Sequence, residues 1–384
     1  MNPDIAEKFT ETYAKKADVV YFAPGRVNLI GEHIDYNGGL VMPCSITLGT
    51  WLAVAANTDG LIRFKSLNFE TTQSISANQI QDKNGNQWFN YPIGIINFFL
   101  QDNKQFSGLD LLYYGNIPIG SGLSSSASIE VVTAYALNEY FDLGYDKLEL
   151  VKMSKVVENH FIGVKSGIMD QYAVAFGEKD KAIVLDCDTL KSKLVDVKLG
   201  DYVLAIINTN KPRELADSKY NERVAECEVG LNLLNQEIKL NNLCELTAEK
   251  LALHSHVISD QTILSRVTHV VKENDRVHLA AKALNSGDLE EFGRLMYASH
   301  QSLKELYEVS GKELDAVVEF CETYPHVIGA RMTGAGFGGC AIALLEKGFE
   351  EEFAQKLNAD YQATIGYPAE VYISEIGNGP LKLT

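Results

Sequence analysis

A run of glycines and serines at 118–128 constrains the fold of this chain more than any other feature of its sequence. The run follows an apolar segment of strand length, Gly108–Tyr114, and precedes a helical pattern that begins near Ile129. Gly120 and Gly122 let the backbone approach another group closely, and the serines supply hydroxyl and N–H donors at the start of a helix. Because one serine is enough to cap a helix, the surplus predicts an anion site that suits a phosphate.

A second segment, 23–39, places several polar side chains between two apolar runs of strand length. Arg26, Glu32, His33 and Asp35 lie within ten residues of one another. A turn would need only the glycine pair that ends the segment. Carboxylates and an imidazole donate and accept hydrogen bonds in directions that suit neighbouring hydroxyls of a sugar. The segment therefore predicts a site for a polar ligand.

A third glycine-rich segment, 334–339, fits the pattern GxGxxG of dinucleotide-binding proteins. That function requires a following helix, whereas Cys340–Leu345 is short, apolar and typical of a strand. The sequence contains no HRD or DFG triplet of protein kinases and no GxxxxGK[ST] phosphate loop. We therefore expect a hairpin whose glycines let the backbone approach a ligand or another segment of the chain.

Composition excludes several classes of protein. The formal net charge of −17 argues against partners such as nucleic acid or an anionic membrane surface. No apolar run approaches the roughly 18–20 residues of a membrane-spanning helix, and the N-terminal residues lack the pattern of a signal peptide. The six cysteines contain no CxxC pair. We expect reduced thiols, a cytoplasmic location and, since nothing indicates assembly, a monomer.

The periodicity predicts a mixed α and β protein without the strict β-α-β alternation of a doubly wound sheet. With 384 residues the chain is long enough for two domains, and the pattern of predicted helices and strands changes near residues 185–200. We expect an N-terminal domain over 1–190 and a C-terminal domain over 191–384. Helical spacing occurs at 129–140, 147–161, 218–234, 275–285, 289–307, 312–324 and 349–357. Strands are expected at 19–23, 40–46, 50–56, 61–64, 108–114, 181–187, 201–208, 327–332, 340–345 and 371–376.

The three segments together resemble the motifs of the GHMP kinases, and among these the galactokinase family. Residues 25–39 are similar to the galactokinase signature, with Ile34 where threonine is more usual. The serine loop at 118–128 resembles the family's phosphate loop, and 332–340 resembles its third motif. Gly167–Gln171 resembles a further galactokinase block. The motifs follow the family order and extend over most of the chain.

This resemblance implies an α+β, two-domain architecture. The N-terminal domain would be of the ribosomal protein S5 domain 2 type and the C-terminal domain ferredoxin-like, with the site between them. The implied activity is ATP-dependent phosphorylation of the C1 hydroxyl of α-D-galactose to galactose 1-phosphate, in galactose catabolism by the Leloir pathway. The small-molecule partners would be galactose and ATP, and the implied metal is Mg²⁺.

The resemblance also implies roles for individual residues. Asp170 would be the catalytic carboxylate, acting as a base or orienting the sugar hydroxyl, and Arg26 would stabilise developing charge. The implied galactose contacts are Glu32, His33, Asp35, Gly167, Asp170 and Tyr220. The implied nucleotide contacts are Gly120, Ser121, Gly122, Leu123, Ser124, Ser125, Ser126, Ala127 and Tyr91.

For the metal, the resemblance implies Glu158 together with a hydroxyl of the serine loop. Ser126 is our choice for that hydroxyl, with Ser125 left open. Two alternative functions also stay open at this point. One is a kinase of the same fold for another sugar, such as N-acetylgalactosamine. The other is a sensor that binds galactose and ATP without turnover, although the intact serine loop and Asp170 argue against it.

Overall fold

The structure is a computed structural model that describes residues 4–118, 120–164, 166–211 and 216–383, with only the backbone at 216–218. Within these residues the helices are α1 (Ile5–Tyr13), α2 (Asn90–Gln101), α3 (Ser125–Phe141), α4 (Lys147–Val156), α5 (Met169–Phe176), α6 (Ala216–Leu234), α7 (Ala248–His254), α8 (Gln261–Ser286), α9 (Leu289–Ser302), α10 (Gly311–Thr323) and α11 (Glu350–Ile365). The strands are β1 (Val19–Asn28), β2 (Leu40–Val41), β3 (Pro43–Asn57), β4 (Leu61–Ser66), β5 (Gln73–Ser76), β6 (Gly108–Gly115), β7 (Lys181–Asp186), β8 (Ser192–Asp196), β9 (Tyr202–Asn208), β10 (Val327–Thr333), β11 (Cys340–Glu346), β12 (Glu370–Ser374) and β13 (Leu381–Lys382).

The strands form three sheets. The largest has the order β13-β1-β3-β6-β4-β5, and its only parallel pair among the described strands is β4 with β6. A four-stranded antiparallel sheet has the order β10-β11-β9-β12, and a small sheet has the order β2-β7-β8. Helices and strands do not alternate strictly, so the predicted α+β class is confirmed.

The six-stranded sheet carries helices on both faces. Along β1, Tyr21 belongs to the main core, whereas Val20 belongs to a small cluster with Ile5 and Phe9 of α1. This alternation follows from the two-residue period of a strand. The main hydrophobic core continues into the C-terminal half of the chain. There it includes buried side chains of β9, β10 and β11. The expected domain boundary at residue 190 stays a prediction. Two strand pairs cross this position, because β13 pairs with β1 and β8 pairs with β7.

The structure differs from the sequence expectation at one long helix. α8 begins at Gln261, where Asp260 caps it, and not at Asp275 as predicted. Polar residues on its inner face, Arg266 and Glu273 among them, are buried and interrupt the apolar periodicity. The prediction was wrong because it depended on that periodicity.

Other elements also differ from the expectation, and α2 and β3 are two of them. α2 was not predicted at all, yet Pro92 lies in its first turn, where the missing N–H costs no hydrogen bond. A Cβ on Gly94 would collide with Val157, so this glycine permits close packing. β3 runs unbroken through Gly49, where a side chain would collide with Phe22 and the Ala23 carbonyl.

Candidate active site

A cleft of about 420 Å³ brings the three predicted segments together. Its walls come from the loop after β1, the serine loop, the start of α5, the first turns of α6 and the turn after β10. The lining residues are Arg26, Glu32, His33, Asp35, Gly120, Gly122, Ser124, Ser125, Ser126, Glu158, Gly163, Val164, Ser166, Gly167, Met169, Asp170, Tyr220, Asn221, Gly334 and Ala335.

A bulge in β1 positions Arg26. The pairing of β1 with β3 shifts register between Pro24 and Arg26. Gly25 lies in this bulge, and a Cβ on it would approach the Leu123 carbonyl to 2.7 Å. The Arg26 backbone N–H donates to the same carbonyl at 3.2 Å. The bulge therefore ties the first strand directly to the serine loop.

Arg26 and Asp170 form a two-point ion pair in the centre of the cleft. Arg26 Nε donates to Asp170 Oδ1 at 2.9 Å, and Nη2 donates to Oδ2 at 2.7 Å. The remaining arm, Nη1, donates to the Gly122 carbonyl at 2.7 Å. Asp170 lies in the first turn of α5, where the helix dipole favours a carboxylate. The Ser124 hydroxyl also donates to Asp170 Oδ2.

The serine loop presents its backbone to the cleft. Gly120 and Gly122 have φ of +72° and +80°, values that glycine adopts without steric cost. Ser124 precedes α3 with φ of +60° and turns its hydroxyl toward Asp170 instead of capping the helix. The N-terminal amides of α3 are therefore directed to a site that suits an anion.

The far end of the cleft is acidic. Burial, the Asp170 carboxylate and the Glu32 carboxylate together raise the pKa of Asp35 to about 7. Gly167 packs directly on Asp35, since a Cβ there would collide with Oδ2 of that carboxylate. Tyr220 lies beside these groups, and its ring centroid is 5.4 Å from that of His33.

Glu32 is buried and held by several donors. Its Oε2 accepts from the Asn28 side-chain amide, and its Oε1 accepts from the Gly334 backbone N–H. Thr333 adds a longer hydrogen bond of 3.4 Å to Oε1. The Glu32 backbone is fixed too, because its N–H donates to Glu273 Oε1 at 3.2 Å. The third glycine segment thus approaches the signature loop as well as the ligand cleft.

His33 is neutral and engaged by the protein. Burial and neighbouring positive groups lower its pKa to about 3. Its Nε2 lies 3.1 Å from the Ala335 carbonyl, so that nitrogen carries the proton. The Tyr36 hydroxyl then donates to Nδ1 at 2.9 Å. Both ring nitrogens therefore already have partners, and its galactose contact stays a prediction.

A buried polar network lies behind the serine loop. The Glu158 carboxylate accepts from Ser166 Oγ at 2.6 Å and from Gln171 Nε2 at 2.7 Å. The nearby Ser126 side chain is among the groups that lower the pKa of Glu158. Gln171 Nε2 also lies 3.3 Å from Glu130 Oε2, on α3. Burial raises the pKa of Glu158, and it raises that of Glu130 still further.

A second cavity of about 160 Å³ adjoins the serine loop. Trp88 and Tyr91 lie on its wall, and Phe69 stacks on Trp88 with ring centroids 6.2 Å apart. Ser125 and Ser126 line both cavities, so the two spaces meet at the loop. An aromatic, flat cavity beside an anion site suits the base of a nucleotide.

Comparison with known proteins relates the chain to one family. The model of the galactokinase galactose-binding signature matches residues 7–56, and the N-terminal and C-terminal GHMP kinase domains match 90–178 and 280–363. The chain is 49% identical to the galactokinase of Clostridium tetani, over 99% of this chain and 97% of that one. It is 49% identical to that of Enterococcus faecalis over 99% of both.

The chain belongs to the galactokinase family. A solved structure of Lactococcus lactis galactokinase complexed with galactose superposes with a TM-score of 0.94, at 44% identity over 99% of each chain. A mevalonate kinase superposes with a TM-score of 0.68 at 22% identity over 94% of this chain, which shows the shared fold. As a kinase family, the galactokinases use ATP as phosphoryl donor.

Most of the residues implied by the family resemblance meet in the cleft, but four do not. Ser121, Leu123 and Ala127 are buried outside the described cleft lining. Tyr91 lines the second cavity. The sequence analysis did not identify several residues that tertiary packing brings next to the site. These are Asn28, Thr333 and Glu273 around Glu32, Gln171 beside Glu158, and Phe69 in the second cavity.

Proposed function

We propose that Arg26 and Asp170 carry the phosphorylation of the galactose C1 hydroxyl by ATP in this member of the galactokinase family. The observation that carries the proposal is their two-point pair, which lies where the serine loop meets the acidic end of the cleft. An acceptor hydroxyl bound at that junction would face both a carboxylate and a guanidinium. Such an arrangement positions a nucleophile opposite a phosphoryl group.

The acidic end of the cleft would bind the sugar. Glu32 and Asp35 offer acceptor oxygens, and galactose is rich in hydroxyl donors. Gly167 lets the Asp35 carboxylate pack against its backbone, and Tyr220 supplies an apolar ring face beside His33. Hydrogen bonds to buried carboxylates discriminate strongly against ligands that lack the hydroxyl.

Asp170 would orient the C1 hydroxyl and accept its proton late in the reaction. Because Arg26 binds both of its oxygens, the Asp170 carboxylate is held in a fixed position. Arg26 would also stabilise negative charge on the transferring phosphoryl oxygens. In a loose transition state this positioning and charge compensation provide most of the catalysis.

The serine loop would hold the triphosphate, and the second cavity would hold adenine. Backbone amides of the loop and the start of α3 are oriented as anion donors. Trp88, Phe69 and Tyr91 would enclose the base. The two cavities share Ser125 and Ser126, which places the phosphates between base and sugar.

Glu158 and Ser126 fit a magnesium ion. Mg²⁺ in kinases uses one or two protein oxygens together with phosphate oxygens and water, and Ser126 and Glu158 both line the cleft beside the serine loop. No group of three or more His, Cys, Asp or Glu within the described ranges could hold a metal alone, in keeping with a site completed by nucleotide. The ion would neutralise phosphate charge. Gln171 and Ser166 would orient Glu158.

Product analysis tests the proposed function. The chain would be mixed with Mg-ATP and galactose, N-acetylgalactosamine or glucose, and products would be followed by phosphorus-31 NMR. We expect galactose 1-phosphate from galactose, with much slower turnover of the other sugars. Galactose and ATP binding without product would instead indicate a sensor, and preferred turnover of another sugar would contradict the substrate assignment.

We further propose that the enzyme acts as a monomer in the cytoplasm. The six cysteines are free thiols, and the described part of the chain has no helix with the length and apolar character needed to cross a membrane. Light scattering during size-exclusion chromatography tests the monomer, since a mass near twice 42.4 kDa would contradict it.

A further inference from the structure

Arg331, near the end of β10, has an unusual environment. Its side chain is fully buried, although arginine is rarely buried without a paired charge. Nη1 donates to the Asn28 carbonyl at 2.9 Å. Nε and Nη2 have no hydrogen-bond partner among the described residues. The guanidinium therefore brings a positive charge into the core that its hydrogen bonds do not explain.

The nearest carboxylate to Arg331 is that of Glu32. Nη1 lies 3.8 Å from Glu32 Oε1, and this is the only ion pair of Arg331 within the described ranges. Gly334, which follows Arg331 closely in the chain, donates its backbone N–H to the same oxygen. The Thr333 hydroxyl lies 3.4 Å from that oxygen but closer, at 3.1 Å, to the Asn28 carbonyl. One short segment thus supplies Glu32 with a positive charge and a backbone donor.

The other buried carboxylate near Arg331 has its own cation. Glu273 Oε2 accepts from Arg276 Nε at 2.7 Å. Burial alone would raise the pKa of Glu273, but neighbouring groups, of which Arg276 has the largest effect, lower it to about 2. Glu32, in contrast, has no cation within hydrogen-bonding distance among the described residues, since Arg331 Nη1 lies 3.8 Å away. Burial raises the pKa of Glu32, and Arg331 is the largest influence in the opposite direction.

We propose that Arg331 is a positioning residue that favours the ionised form of Glu32 and fixes its carboxylate, and thereby sets the affinity for galactose without touching the sugar. Arg331 is absent from the described cleft lining, whereas Glu32 belongs to it. An ionised carboxylate accepts a hydroxyl hydrogen bond more strongly than a neutral acid does. The inference rests on the proposed function, because it assigns Glu32 to the sugar.

Binding and kinetics of Arg331 variants test the inference. Galactose affinity would be measured by calorimetry, and KM for ATP and kcat by a coupled assay. Arg331→Met removes the charge, Arg331→Lys retains it, and Glu32→Gln removes its partner. Arg266→Met is the matched control, since Arg266 is buried and paired with Glu226. Wild-type binding of galactose is established first, because its absence would refute the proposed function and not this inference.

We expect Arg331→Met to weaken galactose binding about tenfold, the difference between a charged and a neutral hydrogen bond, with KM for ATP unchanged. Arg331→Lys should stay within about threefold of wild type. The double variant with both Arg331→Met and Glu32→Gln should bind galactose no more weakly than Glu32→Gln alone, because Arg331 acts through Glu32. Arg266→Met should lower the melting temperature and leave galactose affinity unchanged.

Other outcomes would overturn the inference. Unchanged galactose affinity in Arg331→Met, or an additive loss in the double variant, would show that Arg331 does not act through Glu32. Equal losses of galactose and ATP affinity would indicate general damage to the structure. If Arg331→Met does not fold, Arg331→Lys decides: near-normal galactose affinity supports the charge role, and a tenfold loss with normal ATP affinity refutes it.

Discussion

Arg26 binds both carboxylate oxygens of Asp170, at 2.9 and 2.7 Å, although 144 positions separate the two residues in the chain. The pair joins the first strand to the start of α5 across the cleft. Its third contact, from Arg26 to the Gly122 carbonyl, adds the serine loop to the same unit. The acidic end of the cleft and the serine loop therefore meet at one pair of charges.

Replacing Arg26 by lysine should lower kcat about a hundredfold or more. Lysine keeps the positive charge but lacks the planar fork that binds Asp170 and Gly122 at once. Steady-state kinetics at saturating galactose and Mg-ATP measure the effect. Arg63→Lys is the control, because Arg63 pairs with Asp59 and Asp110 away from the cleft. Equal kcat in Arg26→Lys and Arg63→Lys would show that the planar guanidinium of Arg26 is not needed for the reaction.

Replacing Gly167 by alanine should raise KM for galactose about tenfold and leave KM for ATP unchanged. The new Cβ would collide with the Asp35 carboxylate and displace it from the sugar site. The control is Gly200→Ala, at a turn outside the cleft lining. A Cβ there meets nothing within 4 Å, but the φ of +55° strains alanine, so this variant reports backbone strain without displacement of Asp35. An unaltered KM for galactose in Gly167→Ala would place Asp35 outside the sugar contacts.

Asp35→Asn should stabilise the free enzyme at alkaline pH. The pKa of Asp35 is raised to about 7 in the folded chain from its ordinary value of 3.8, so the fold favours the protonated acid. The stability that this proton contributes is complete below pH 4 and is lost as the pH rises through 7. Between these values the advantage of the variant should grow by up to about 1.4 kcal/mol per pH unit.

Urea unfolding of wild type and Asp35→Asn from pH 4 to 8, without ligand, measures that difference. Comparing the two proteins at each pH cancels the other titrating groups that they share. A difference in unfolding free energy that does not change with pH would contradict the raised pKa of Asp35.

Glu158→Gln should raise the Mg²⁺ concentration needed for half-maximal activity about tenfold or more. The amide lacks the charge that a hard cation prefers, although it preserves the size of the side chain. Binding of Mn²⁺ in the presence of ATP, followed by electron paramagnetic resonance, gives a second readout. Glu178→Gln is the control, since Glu178 is exposed and pairs with Lys181. The same Mg²⁺ requirement in both variants would argue against Glu158 as a ligand.

The local character of the site was accessible from the sequence because its key residues cluster in short segments. The glycines and serines at 118–128 and the polar residues at 23–39 each exceed what turns and caps require. The strand Cys340–Glu346 after the third glycine segment was predicted correctly, which excluded a dinucleotide fold. The family resemblance then related Asp170 to Arg26, a pairing that spacing alone does not reveal.

The supporting residues were not accessible, because their roles depend on contacts between distant segments. Glu273 looks like an ordinary helix charge, yet it accepts the Gly31 backbone N–H at 2.9 Å. Arg331 in a strand gives no sign in the sequence that it lies near Glu32. Trp88 and Phe69 form a cavity only once their loops fold together. Such residues are fixed by tertiary packing and not by local pattern.

The turnover of Asp170→Asn tests the central claim most directly. Its kcat would be measured at saturating galactose and Mg-ATP, beside its galactose affinity by calorimetry, with Asp196→Asn as an exposed control. The account predicts that kcat falls between about a hundredfold and ten-thousandfold while galactose binding stays within a few-fold of wild type. Near-normal kcat in Asp170→Asn would contradict the proposed reaction centre.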